Sequence, residues 1–185
     1  VFNALSSIEG LVTNQENDRA NEYLASFSDI MRDTLKNSRE IMISLAQDLD
    51  TLEKYLRVEQ LRFEFKWMME IDPDLDLDVI EFPPMLLQPI VENAIKHAIS
   101  KLEHAGKLTI DARRFGNDLL LDVADNGPGA DILDGQLSRS GGVGLPNIKE
   151  RLHALYNRNF AFTVEHNQPQ GVRVSVRIPY DVKDI

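Results

Sequence analysis

Apolar positions along the chain change their spacing near residue 65. Before it, Ala20, Leu24, Phe27, Met31 and Leu35 step by four, three, four and four, and Ile41, Leu45, Leu49, Leu52 and Leu56 step by four, four, three and four. Each set lays one apolar stripe along an α-helix, which turns about 100° per residue. Leu5, Ile8 and Val12 fall out of step with the first stripe around "TNQEND", which predicts a separate or kinked segment there. Ser44 followed by Gln47 has the form of a capping box that opens the second long helix, after a polar connection "NSRE" at 37–40. Stripes of this length need covering, and an antiparallel pair that dimerises into a four-helix bundle is the simplest way to do it.

After residue 65 short alternating runs take over. "FKWMMEI" reads as a strand, "PPMLLQPIVENAIKHAI" as a helix with proline near its first turn, and "KLTIDARR" with "DLLLDVAD" as a hairpin around "FGN". "PNIKERLHALY" follows as a second helix, and "FAFTVEH" with "GVRVSVRIP" as a second hairpin around "NQPQ". That order predicts one sheet with helices on one face. The expected fold class is therefore α+β: a helical hairpin over residues 1–65, then a two-layer α/β sandwich over 66–185.

Composition narrows the function classes. At 185 residues and 43% hydrophobic content the chain can bury a sizeable core. No apolar run approaches the roughly 18 residues a bilayer requires, and no export signal opens the chain, so this stretch is expected to be neither secreted nor membrane-spanning. The net charge of -10 argues against direct nucleic-acid binding, which needs clustered Lys and Arg. Without cysteine there is neither a disulfide framework nor a thiolate metal site. An anionic ligand would be held by local positive groups, backbone N–H donors or a metal.

The stretch "QPIVENAIKHA", residues 88–98, carries Glu92, Asn93, Lys96 and His97 inside an otherwise apolar helix. Relative to Glu92, Lys96 falls at roughly 40°, Asn93 at 100° and His97 at 140°, so the four share one arc. A solvated face with an ordinary Glu92–Lys96 pair at i, i+4 explains the arc equally well when it is taken alone. Downstream, "DNGPG" at 125–129 follows a strand and "SGGVGLPNIKERL" at 140–152 places glycines before a helix. Glycines let backbone approach a ligand, and a helix N-terminus offers N–H groups to phosphate.

"ENAIKH", "DNGPG" and "GGVGL" together resemble the N box and the two glycine boxes of the superfamily that contains gyrase, heat-shock chaperone ATPases, histidine kinases and MutL, over roughly residues 82–180. The resemblance implies a Bergerat-type ATP-binding domain using ATP and Mg²⁺. It implies that Asn93 binds the metal, that Glu92 polarises a reacting group or organises metal-bound water, and that Lys96 and His97 lie near the phosphates. It also implies that Asp125 accepts a hydrogen bond from the adenine amino group and that Gly127 and Gly129 let the chain pass close to the base. Gly142, Gly144 and Leu145 belong to the second glycine box, whose glycines would bring backbone donors to the phosphates. Residues 130–141 would form a lid with Arg139 as a phosphate contact. A separate phenylalanine-centred box, found between the glycine boxes of many histidine kinases, is missing here.

"VFNALSSI", "LEKYLRVEQLRFEF" and "FPPMLLQPIVENAIKHA" narrow the resemblance to LytS-like sensor histidine kinases, whose phosphoacceptor motif reads N-P-H-F-L-F-N. Aligned on "VFN", the acceptor falls two places before Val1, so this stretch is expected not to phosphorylate itself. His104, His153 and His166 are expected in surface or packing roles. By the same resemblance the acceptor would pass its phosphoryl group to an Asp on a response regulator, one with a LytTR-type DNA-binding domain, and the full-length protein would be a homodimer. This chain would be the cytoplasmic portion of an inner-membrane protein whose membrane segment lies upstream. Asn3, one turn after the acceptor, either orients water for a phosphatase activity or packs a helix. Two other readings stay open at this point. One is an ATPase or Ser/Thr protein kinase of the same superfamily, and the other a non-catalytic, nucleotide-gated dimerisation module.

Overall fold

A computed structural model describes residues 2–37, 39–102, 104–133, 136–137 and 144–182. The chain opens with α1 (Phe2–Thr13) and α2 (Asn17–Asn37), separated at the point where the apolar spacing fails. The short strand β1 (Ile43–Ser44) leads into α3 (Leu45–Gln60). Ser44 caps that helix: its Oγ accepts the Gln47 N–H at 3.3 Å, while Gln47 Oε1 accepts the Ser44 N–H at 3.1 Å. Two N–H groups that the first helical turn leaves without partners are thereby satisfied.

Contacts between α2 and α3 run in opposite directions along the two helices. Arg19 reaches the Leu61 carbonyl, Asp33 meets Lys54 at 2.7 Å, and Asn37 donates to Thr51 Oγ1 at 3.5 Å, so the pair is antiparallel. The packed face of α2 differs from the expected stripe. Ala20, Tyr23 and Ile30 are buried, whereas Leu24 is 49% and Leu35 62% exposed. Tyr23, Phe27 and Ile30 keep the same three-four spacing one position away, and spacing alone does not choose between adjacent stripes.

Next come β2 (Phe65–Ile71), β3 (Glu81–Phe82) and α4 (Gln88–His97), then a 3₁₀ turn (Ile99–Lys101). The strands β4 (Gly106–Phe115) and β5 (Asp118–Asp125) form the first hairpin, turning through Gly116 at φ 64. Two short strands, β6 (Ile132–Leu133) and β7 (Gln136–Leu137), pair with each other before α5 (Gly144–Tyr156), β8 (Ala161–His166) and β9 (Val172–Pro179). The main sheet has the order β2-β4-β5-β9-β8, with β2 parallel to β4 and the other neighbours antiparallel. Strands of 65–71, 106–115, 118–125, 161–166 and 172–179 match the five expected ones, and the α+β class holds.

The helix expected from "PPMLLQ" onward begins only at Gln88. Consecutive prolines at 83 and 84 disfavour helical backbone before them, and Met85 sits at φ 57, outside any helix. Apolar side chains of β4, β5 and β9 form the core with Ile90, Val91 and Ile95 of α4 and Ile148 and Leu152 of α5. Leu45, Leu49, Leu52 and Leu56 of α3 belong to this same core. The stripe expected to zip α3 onto another helix instead joins the core of the second region, shared with α4 and the strands. Its opposite side, at Val58, completes a smaller cluster with Tyr23 and Ile30. One helix thus serves both regions that the sequence pattern divides near residue 65.

Candidate functional site

Helix α4 buries Ile90, Val91, Ala94 and Ile95 and turns its polar arc away from the core. Glu92 and Lys96 are exposed, and Asn93 and His97 are half-buried. Gln88, one turn before Glu92, donates from Nε2 to Glu92 Oε1 at 2.9 Å and holds that carboxylate in place.

Strand β5 ends at Asp125, which is 5% exposed. The residues after it fold back so that the Gly127 N–H reaches Asp125 Oδ1 at 2.8 Å, and the Val172 N–H at the start of β9 reaches the same oxygen at 3.2 Å. Burial raises the affinity of this carboxyl for a proton, and the two N–H groups oppose that rise by favouring the charged form. Gly127 serves packing: a Cβ there would stand 2.2 Å from the Cβ of Ala98, at the end of α4. Gly129 has φ 83, a left-handed conformation that a side chain would strain.

Between these elements opens a pocket whose space, including its mouth to solvent, is about 490 Å³. Asn93 and His97 line it from α4, Asp125, Gly129 and Ala130 from the segment after β5, and Val172 and Val174 from β9. The fold therefore brings Asn93, His97, Asp125 and Gly129 together. Glu92 and Lys96 lie on the adjoining wall, in a wider cleft between α4 and the α2–α3 pair that Asn93 and His97 also border. Burial lowers the proton affinity of His97, with Lys96 and Lys101 adding to the effect, so the surroundings favour its neutral form.

The remaining expected residues are distributed differently. Leu145 is buried in the core at 6% exposure, and Gly144 begins α5. Arg139 and Gly142 lie outside the described residues, as do half of the expected lid and residues 141–143 of the second glycine box. Asn3 falls on α1. His104 pairs with Glu64 at 2.7 Å on the surface, and His153 stands edge-on to Phe160, in keeping with surface and packing roles.

Sequence reasoning did not single out Asn167, Gly171 or Val172, which sit at the second hairpin turn and contact Asp125. Read locally, "NQPQG" is an ordinary polar turn. It also passed over Tyr55 and Glu59 on α3, which border the wider cleft opposite Glu92. Glu59 is only 7% exposed, and burial chiefly, then the nearby Glu92 charge, pushes its carboxyl up.

No cluster of three or more His, Cys, Asp or Glu side chains among the described residues is arranged as a metal cage. The donors on the α4 arc, a neutral carboxamide and one exposed carboxylate, suit an ion that keeps most of its ligands as water and phosphate oxygen, the coordination Mg²⁺ prefers.

The result is an α+β sandwich in which a polar helix arc and a buried acid border one small pocket. Residues 82–182 match the family described as "Histidine kinase-, DNA gyrase B-, and HSP90-like ATPase", and residues 1–67 match "Histidine kinase". The chain belongs to the histidine kinase-, DNA gyrase B- and HSP90-like ATPase family. It is 33% identical over 187 residues to the sensor protein LytS of Bacillus subtilis (strain 168), covering 97% of this chain and 31% of that protein. It is 29% identical over 180 residues to the sensor histidine kinase BtsS of Escherichia coli (strain K12), with the same coverages of 97% and 31%. The chain thus spans under a third of the length of these relatives. Among solved structures, the catalytic domain of histidine kinase ThkA superposes with a TM-score of 0.60 at 17% identity, covering 77% of this chain and 97% of that one. The Acinetobacter baumannii histidine kinase AdeS superposes at 0.57 with 15% identity, covering 96% and 95%. Both likenesses concern the fold.

Proposed function

We propose that this chain is the kinase region of a two-component sensor histidine kinase that binds ATP with Mg²⁺ and transfers the γ-phosphoryl group to a histidine of the longer protein. The observation that carries the reading is the convergence of Asn93 and Asp125, from α4 and from the end of β5, on one pocket with Glu92 on its adjoining wall. Asp125 offers a carboxylate oxygen to the exocyclic amino group of adenine. Asn93, on the helix side of the pocket, would hold Mg²⁺, which would neutralise charge on the triphosphate oxygens.

In the transfer, an imidazole nitrogen of the acceptor attacks the γ-phosphorus, the bond from that phosphorus to the β,γ-bridging oxygen breaks, and ADP leaves with the electron pair. Glu92, steadied by Gln88, takes the proton that the imidazole gives up. Such chemistry asks for positioning and charge stabilisation rather than covalent participation of the protein. The phosphoryl group then passes to an aspartate of a response regulator, which we assign to the LytTR-bearing type. The longer protein works as a homodimer held at the membrane by a segment outside this chain, with residues 66–185 forming the nucleotide domain on the cytoplasmic side. No helix among the described residues is long and apolar enough to cross a membrane.

Calorimetry tests the binding half: ATP with Mg²⁺ is expected to give a saturable heat that Asp125→Asn and Asn93→Ala weaken. No metal-dependent heat at millimolar ATP, with folded protein, would overturn the reading. Acid-labile, base-stable label from γ-labelled ATP on the full-length protein tests the transfer half, whereas release of free phosphate without protein label would identify an ATPase instead.

A further inference from the structure

The ladder between β5 and β9 ends at the pair Ala124–Arg173, so the backbone carbonyl of Asp125 lies just beyond it. A side chain takes over there. Asn167, at the turn between β8 and β9, donates from Nδ2 to the Asp125 carbonyl at 2.8 Å across 42 positions of sequence. Its own N–H donates to the Gly171 carbonyl at 3.0 Å, closing the turn, and its Oδ1 accepts from Arg173 at 3.4 Å. With the carbonyl oxygen facing an arginine, the amide is oriented so that its NH₂ faces Asp125.

Gly171 completes the arrangement. It has φ 115, and a Cβ on it would stand 1.9 Å from the Asp125 carbonyl oxygen, so the turn crosses directly over the Asp125 backbone. Val172, the next residue, supplies one of the two N–H groups on Asp125 Oδ1. With Oδ1 engaged twice, Oδ2 is the oxygen left for a ligand.

We propose that Asn167 is a specificity-determining positioning residue, whose carboxamide holds the Asp125 peptide so that the free carboxylate oxygen meets the 6-position of the purine. This deepens the nucleotide reading above and rests on Asp125 contacting the base. The physics of selection follows from donors and acceptors. A 6-amino group donates to the carboxylate, whereas the 6-oxo group of hypoxanthine or guanine brings acceptor against acceptor. A fixed carboxylate penalises the 6-oxo base, because one buried acceptor stays without a donor and the other faces it. A carboxylate released to swing aside loses both the attraction and the penalty. Asn167 therefore affects the preference between bases while the triphosphate contacts stay as they are.

The test uses this chain with Mg²⁺ and two nucleotides of equal charge, ATP and its 6-oxo counterpart inosine triphosphate, titrated calorimetrically against wild type, Asn167→Ala, Asn167→Asp and Asp125→Asn. Asn167→Asp keeps the side-chain shape and the Arg173 contact while removing the donor, so it guards against a folding defect in the alanine variant. Both Asn167 variants are expected to lower the ratio of ATP to inosine triphosphate affinity about tenfold, through weaker ATP binding with inosine triphosphate binding unchanged or stronger. An unchanged ratio, or equal weakening of both nucleotides, overturns the proposal. If Asp125→Asn itself leaves the wild-type preference intact, the assignment of Asp125 to the base fails first, an outcome distinct from Asn167 failing while Asp125→Asn abolishes the preference.

Discussion

The carboxylate of Asp48 accepts the backbone N–H of Met85, 37 positions away, at 2.5 Å. Met85 is in the left-handed conformation at φ 57, and the neighbouring Pro84 carbonyl accepts from Arg151 Nη1 of α5 at 2.6 Å. A turn with two prolines cannot satisfy itself by helical hydrogen bonds, so α3 and α5 hold it from either side. That turn delivers the chain into α4, and through it the polar arc is placed relative to the rest of the domain.

Burial pushes the Asp48 carboxyl up to about 7, against the opposing pull of the Met85 N–H and the Arg151 charge. The folded protein therefore binds this proton more tightly than the unfolded chain, whose carboxyl sits near 3.8. Stability associated with Asp48 is greatest below the unfolded value and declines as pH rises toward and through about 7. Asp48→Asn keeps an acceptor for Met85 without the charge. It is expected to raise the unfolding free energy at pH 8, by up to about 4 kcal/mol, and to change it little at pH 4. Urea melts at the two pH values check this, and equal effects at both would contradict it.

Glu92→Gln in the full-length protein is expected to slow phosphoryl transfer about 10²- to 10⁴-fold, the usual contribution of a positioned proton acceptor. The ATP dissociation constant should stay within about twofold, because Glu92 borders the wider cleft and not the pocket that Asp125 lines. Single-turnover labelling beside calorimetry separates the two quantities. A parallel fall in both would mean that Glu92 supports binding.

Asn93→Ala should reveal itself through the metal. ATP affinity is expected to fall about tenfold with Mg²⁺ present and to change little with the metal chelated, since the carboxamide is assigned to the ion rather than to the base. Titrations with magnesium and with EDTA make the comparison, and equal losses in the two would reassign Asn93 to the nucleotide itself.

Ser44→Ala removes the capping box at the start of α3. The expected cost is about 1 kcal/mol of global stability, visible as a lower thermal midpoint, because α3 supplies leucines to the main core and its loosening is not local. Ser44→Asp should restore most of the loss by accepting the same N–H.

Val12 of α1 and Leu24 of α2 are 51% and 49% exposed. If these side chains are where the full-length protein dimerises, Val12→Glu with Leu24→Glu is expected to shift sedimentation toward the monomer while leaving ATP binding intact. Unchanged association would place the dimer contact elsewhere.

Much of this protein was legible in order along the chain. Alternation and three-four spacing marked all five strands of the main sheet and the helices between them, because each of those elements buries one face and so writes its period into the residues. The Ser44–Gln47 cap was legible for the same local reason, its two hydrogen bonds closing within one turn. The Glu92–Asn93–Lys96–His97 arc followed from helical geometry alone. Tertiary structure decided what depends on which distant surface arrives. Only packing chose Tyr23 and Ile30 over Leu24 and Leu35, and only packing drew the α3 leucines into the core of the second region. The turn at Met85 that leads into α4 rests on an aspartate 37 residues earlier, and the setting of Asp125 on an asparagine 42 residues later. A hydrogen bond between groups so far apart in sequence leaves no periodic trace in either segment, since each donor or acceptor looks locally like an ordinary polar residue until the fold brings its partner within reach.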